Sequence, residues 1–436
     1  MEKFVITDDT ALAELKRRLL ARSAPGGSPA AAARLESVRA IVEAVRTEGD
    51  AAVARFTEQF DGVRLAPERF ELTREEIEAA ESRVDPETLA ALGRAMENIR
   101  DFHCRNLRQS WEQEYADGSV IGQRVGPVES AGVYVPGGKA FYPSSVLMNI
   151  VPARVAGVPE IIMVSPPSCD GDIHPGVAAA ARMAGATRVF RVGGAQAVAA
   201  LAFGTETIPA VCKITGPGNA YVTAAKALVR GAVEIDSEAG PSEVLVLADA
   251  STNPRFAAAE LFAQAEHDEE AMCLLVADSE QTAAAVAAVV EAELPALRRA
   301  GIASRALDEL GMLIVARSAA EAVDLANFIA PEHLSVQTRD PEATAAQIRN
   351  AGAVMVGPMT PVAVGDYIAG PNHVLPTMRR ARFSSPLTAE DFRKVTSYIK
   401  YSEERLRAQG ADLVRLAELE GLEAHARSVT ARLEES

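Results

Sequence analysis

The sequence lacks the features that would carry it to nucleic acid, into a membrane or out of a reducing compartment. Its 44 Lys and Arg are outnumbered by 60 Asp and Glu, for a formal charge of −16. With no basic excess there is no face to meet a phosphate backbone, and no nucleic-acid partner is expected. No run is apolar enough to span a bilayer: the Ala/Val-rich stretch 282–294 is short and broken by Glu291 and Glu293. Met1-Glu2-Lys3-Phe4 opens no apolar signal-peptide core. There are only four cysteines, Cys104, Cys169, Cys212 and Cys273, and no Cys-x-x-Cys pair. That spacing fits neither a disulfide framework nor a zinc finger, so a cytoplasmic protein is expected. Aromatic residues make up just 5%. The apolar content is therefore mainly Ala, Val, Leu and Ile, which suits parallel strands packed beneath helices.

What is present reads as α/β. Residues 1 to about 110 look helical, with Asp9-Thr10 as one cap and Thr73 followed by Glu76 as a capping box. From about residue 120 the period changes. Strands are expected over 128–135, 160–164, 189–192, 211–215, 233–235 and 244–247. A second series covers 272–277, 312–315, 334–336 and 354–356. Two βα series predict two parallel-sheet units, each covered by helices. After Pro386 the pattern returns to helix, over 388–409 and 411–433. Cys212 and Cys273 flank such strands and are expected to be buried, and His103 and Cys104 are expected to be structural.

Three strand ends carry loops of small residues: Tyr134-Val135-Pro136-Gly137-Gly138, Gly193-Gly194-Ala195-Gln196-Ala197 and Gly216-Pro217-Gly218-Asn219-Ala220-Tyr221. None completes Gly-x-Gly-x-x-Gly, because Tyr221 stands where the third glycine would. Each alone is equally a tight turn; three on one sheet edge would line a dinucleotide cleft. In Ile329-Ala330-Pro331-Glu332-His333-Leu334-Ser335, Pro331 ends a helical pattern. Glu332 and His333 then fall in the joint between helix and strand, where neighbouring side chains diverge. They read either as two separate proton-transfer groups or as a solvated pair at a helix end. Gln264 and His267, three apart, share a helix face and would either hold a metal ion or form a polar helix end. Asp366 and His373 occupy a Gly- and Pro-rich loop that is either functional or plain surface. Glu420 and His425 would be about 140° apart on an ideal helix and would not share a face.

Taken together these stretches resemble the histidinol dehydrogenase family. The matching motifs are Tyr-Val-Pro-Gly-Gly at 134–138, Gly-Pro-Gly-Asn-Ala-Tyr-Val at 216–222, Gly-Pro-Ser-Glu-Val-Leu-Val at 240–246 and Gln-Ala-Glu-His at 264–267. Pro-Glu-His-Leu at 331–334, Gly-Asp-Tyr at 365–367, Gly-Pro-Asn-His-Val-Leu-Pro-Thr at 370–377 and the Glu420/His425 tail complete the set, in the family's order. Met359 stands where an aromatic would be expected.

The resemblance implies an NAD-dependent zinc enzyme that oxidises L-histidinol to L-histidine in two hydride transfers. It implies Gln264, His267, Asp366 and His425 as ligands of one Zn2+ per subunit, with His425 supplied across a homodimer that shares its active site. It further implies Glu332 and His333 as the catalytic pair, Ser242, His373 and Glu420 as substrate contacts, and Tyr134, Gln196 and Asn219 as NAD contacts. The implied fold has two incomplete Rossmann-like parallel-sheet domains with small helical terminal segments. These would be an N-terminal segment over 1–27, one α/β domain from 28–133 with 244–387, an inserted NAD-binding domain over 134–243, and a tail over 388–436 that contacts the partner subunit. A related dehydrogenase of another small alcohol and a non-catalytic homologue remain as alternatives; the presence of both His373 and Glu420 favours histidinol.

Overall fold

The computed structural model describes residues 1–22, 29–137, 141–168, 170–238 and 240–434; Cys169 lies outside them. In chain order the strands are β1 (Glu2–Val5), β2 (Trp111–Glu114), β3 (Val120–Pro127), β4 (Ser130–Tyr134), β5 (Glu160–Val164), β6 (Arg188–Phe190), β7 (Lys213–Thr215), β8 (Glu234–Ile235), β9 (Glu243–Ala248), β10 (Met272–Ala277), β11 (Met312–Val315), β12 (His333–Gln337), β13 (Ala353–Val356) and β14 (Arg393–Lys400). Two sheets are parallel, ordered β1-β11-β10-β9-β12-β13 and β6-β5-β4-β7-β8. The third, β14-β3-β2, is antiparallel. Residues Met1–Arg105 with Val128–Phe392 form one unit, which contains both parallel sheets. Asn106–Pro127 with Arg393–Ser436 form a second, built from the antiparallel sheet and two helices.

The parallel strands are continuous apolar runs because both their faces are covered. In the six-stranded sheet Val244 and Val246 pack into one core with Leu261 and Cys273, while Leu245 and Leu247 face the other with Leu15 and Leu334. Helices Pro29–Glu48 and Asp50–Asp61 lay Val38, Ile41, Val45 and Val53 onto the core of the five-stranded sheet, beside Phe70 and Phe190. The capping box is present: Thr73 Oγ accepts the Glu76 N–H and Glu76 returns the bond to the Thr73 N–H. Among the described residues no helix is long and apolar enough to cross a membrane.

Several expectations are corrected. The amino-terminal region is not wholly helical, since β1 pairs with β11. The strand expected over 128–135 is β4, and it is preceded by β3, a separate and unexpected strand. The helix expected over 388–409 is interrupted by β14, whose partner β3 lies far back in sequence. Helix resumes only at Glu403–Leu419, and the next break is at Gly421 rather than residue 410. Gly410 sits inside the helix, where a Cβ would meet the Leu433 side chain 2.6 Å away, so its missing methyl lets the helix Glu423–Glu434 pack closely. Cys212 is exposed; Cys273 is buried, and burial pushes its thiol up to about 12.

Candidate active site

Two sheet edges build the site. Tyr134, the Gly193–Gln196 turn and the Gly216–Asn219 turn follow the carboxyl ends of β4, β6 and β7, the usual ligand edge of a parallel sheet. Glu332 and His333 are instead at the amino end of β12, with His333 level with Val244 of the neighbouring β9. A joint from helix into strand is thus the edge opposite to the usual one. The two edges are tied through the helix Pro143–Ala156. His373 Nε2 lies 3.3 Å from Ser145 Oγ, and Asn372 Nδ2 donates to the Met148 carbonyl at 2.6 Å.

The helix Ala319–Ile329 stops as Pro331 requires, but Ala330 adopts a left-handed conformation, φ 50° and ψ 59°, to turn the chain into β12. This is a strained geometry for a non-glycine residue. Glu332 and His333 are both buried. They do not diverge as an extended pair would: Glu332 Oε2 is 3.6 Å from His333 Nδ1. Glu332 precedes the strand proper, and its carboxylate turns aside to accept the Glu243 N–H at 2.8 Å. His333 Nδ1 also faces the Glu243 carbonyl at 3.2 Å. Its Nε2 is 3.3 Å from Asp366 Oδ1, close enough to pair but not aligned as a hydrogen bond. Burial disfavours the imidazolium, yet the carboxylates of Glu332 and Asp366 outweigh it and push His333 up to about 10.

Asp366 reaches this point from the short helix Val362–Tyr367, which is docked by the helix Pro254–Ala265. Glu260 Oε2 accepts the Val362 N–H at 2.9 Å, satisfying the start of the short helix. Gln264 is one turn beyond Glu260 on the same face; it is buried, and its Nε2 has no hydrogen-bond partner among the described residues. His267 follows at the helix end and, with Phe141, Tyr142, Glu266, Tyr367 and Ile368, lines a cavity of ≈ 370 Å³. Burial raises the Asp366 carboxyl, but His333, His373 and His267 together hold it below the usual carboxylate range. The structure therefore brings Glu332, His333, Asp366 and His373 together, with His267 near enough to act on the Asp366 charge. Ser242 is half-buried immediately before Glu243. Glu420 and His425 belong to the second unit, both exposed and separated by the left-handed Gly421, φ 74°.

An amide oxygen, an imidazole and a carboxylate form a donor set that suits a borderline divalent cation. Gln264 is buried and could meet such a cation only through its amide oxygen, since the unpartnered Nε2 is a donor. Among the described residues no group of three His, Cys, Asp or Glu is placed to hold a metal. Such a site needs the amide and a ligand from elsewhere.

The second sheet's loops are held from below. Gly216, φ 114°, passes so close to β4 that a Cβ would meet the Tyr134 carbonyl oxygen 2.0 Å away. Its N–H donates to Asp236 Oδ2 at 2.8 Å and its carbonyl accepts from Lys226 Nζ at 3.0 Å. Lys226 and Asp236 form a buried ion pair with each other. Replacing Lys226 by methionine leaves Asp236 uncompensated, so urea unfolding should show a loss of about 3–5 kcal/mol; a variant as stable as the parent would exclude that support. Asn219 caps the helix Ala220–Val229, its side chain accepting the N–H groups of Tyr221 and Val222. Tyr134 is buried, which raises its phenol to about 12, and its oxygen accepts the Gly194 N–H at 3.1 Å, joining two of the loops. Gln196 is fully buried with neither amide atom partnered among the described residues, and an unpartnered buried amide beside a turn is suited to a ligand.

Sequence reasoning missed Glu243, Glu260 and Ser145. Only Glu243 carried a signal: an acid at the head of an otherwise apolar strand needs a partner.

A model of the histidinol dehydrogenase family matches residues 28–433 of this chain. A histidinol dehydrogenase of Halalkalibacterium halodurans is 50% identical over 92% of this chain and 94% of its own length. One of Bacillus subtilis is 49% identical over 91% of this chain and 92% of its own. The crystal structure of histidinol dehydrogenase from Elizabethkingia anophelis superposes with a TM-score of 0.91 at 34% identity, covering 100% of this chain and 98% of that one.

Proposed function

The chain belongs to the histidinol dehydrogenase family, and from that premise we propose that it oxidises L-histidinol to L-histidine in the cytoplasm. One alcohol, two NAD and one water give one carboxylate, two NADH and three protons. The observation that supports this reading is the convergence of His333, Glu332, Asp366 and His373 between the two sheet edges.

Each residue has a task that follows from its setting. His333 Nδ1, held against the Glu243 carbonyl, serves as donor there, which leaves Nε2 as the atom that takes the hydroxyl proton while hydride leaves carbon. Any cation that engages Asp366 relieves the imidazole of one carboxylate and lowers its basicity toward the range where a neutral base works. Glu332 polarises water for addition to the aldehyde, and the hydrate gives up the second hydride. His373 Nδ1 faces the Asp366 carbonyl at 3.0 Å as donor, so its Nε2 is the acceptor; it takes the Ser145 hydroxyl at 3.3 Å here, and a substrate donor would replace that hydroxyl. Gln264, His267 and Asp366, with His425 contributed by a second copy of the chain, would hold zinc. When bound, it would supply a template for the amine and imidazole of histidinol. Ser242 and Glu420 complete the substrate contacts. Gln196, Asn219 and Tyr134 mark the NAD side, within the insertion 134–243, while 28–133 with 244–387 carries the chemistry and 388–436 reaches the partner subunit.

The deciding measurement is NADH formed per L-histidinol consumed, before and after chelation. Two NADH, lost on chelation and restored by zinc, is the expected result. One NADH would mean that the aldehyde escapes and Glu332 has no hydration role. None would remove histidinol as the substrate.

A further inference from the structure

Glu243 is 4% exposed and none of the assigned roles uses it. It is nonetheless the most connected group beside the catalytic pair. Its Oε2 accepts the Glu332 N–H at 3.2 Å and its Oε1 accepts the Met378 N–H at 2.8 Å. Its own N–H donates to Glu332 Oε2, and its carbonyl meets His333 Nδ1. Both segments that its carboxyl group reaches contain left-handed non-glycine residues: Ala330 on one side, Met378 and Arg379 on the other, with φ of 50°, 53° and 64°. No other non-glycine residue among those described has positive φ. Such conformations persist only where surrounding bonds over-determine them.

We infer that Glu243 is a positioning residue, whose carboxyl group ties the turns at 330–332 and 377–379 together and so holds Glu332 and His333 in working geometry. The inference rests on the reading of those two residues as the acid–base groups. Crowding around Glu243 is visible in its proton affinity: burial first, then the Glu332 carboxylate, push it up to about 8 against the pull of the two N–H groups and His333. Arg379 is the nearby cation. In either protonation state both oxygens can accept, whereas a carboxamide must turn an N–H toward one of the two backbone N–H groups.

The test uses the full-length, zinc-replete enzyme with saturating NAD. In Glu243→Gln, kcat should fall about 10- to 100-fold while KM for histidinol stays within about threefold, because binding groups are untouched and only the reacting geometry is lost. A folded variant with kcat within about twofold of the parent, or with KM rising in step with the loss, overturns the inference. If that variant does not accumulate, Glu243→Asp decides, since it keeps both acceptors but shortens their reach by one methylene. A fall of about fivefold or more in kcat at constant KM supports the role, and full activity removes it. His333→Asn is run alongside: if it keeps parental activity, the catalytic reading has failed, not the positioning one.

Discussion

Replacing His333 by asparagine should lower kcat for histidinol about a thousandfold, with KM nearly unchanged. The expectation follows from what asparagine can and cannot replace. Its amide N–H can still approach the Glu243 carbonyl that Nδ1 faces at 3.2 Å, so the buried start of β12 keeps a partner. It has no atom that takes a proton at the position of Nε2, 3.3 Å from Asp366. The loss is therefore of proton transfer and not of packing, and the thermal midpoint should move little. Steady-state NADH formation at saturating NAD measures it; a kcat within about tenfold of the parent would require another base.

Glu332→Gln should cost a similar factor in multiple turnover, about 10²–10⁴, but with a different signature. The glutamine carbonyl can accept the Glu243 N–H as Glu332 Oε2 does at 2.8 Å, so the local fold is kept. What disappears is the carboxylate that activates water for the aldehyde. With enzyme in excess, a rapid-mixing experiment should give one NADH per histidinol at close to the parental rate and then stall. Two rapid NADH would separate Glu332 from hydration. No rapid phase would place it in the first oxidation as well.

Much of the architecture could be read in the residues. The runs 160–164, 272–277 and 312–315 match β5, β10 and β11 residue for residue, because each is a short apolar stretch with clear ends, buried on both faces. Strand β14 could not be read, since Lys394, Thr396 and Lys400 alternate weakly and its pairing comes from β3, more than 250 positions earlier in the chain. The site divides in the same way. Gln264, His267, Asp366 and His333 were recognisable from motifs, whereas the closeness of Glu332 to His333 and the reach of Glu243 to Met378 depend on turns with positive φ. Nothing in a local pattern announces a left-handed Ala330 or Met378.

The exchange of bonds between Glu243 and Glu332 has a consequence for how the chain assembles. The two residues are 89 positions apart, and β9 meets β12 only after β10 and β11 have been made. A slip of one residue between β9 and β12 would turn each side chain to the opposite face, stranding two carboxyl groups among aliphatic neighbours with no N–H to receive. The acids that serve the chemistry thus also penalise misaligned pairing during folding, so a chain that closes this sheet has assembled its catalytic corner in the same step.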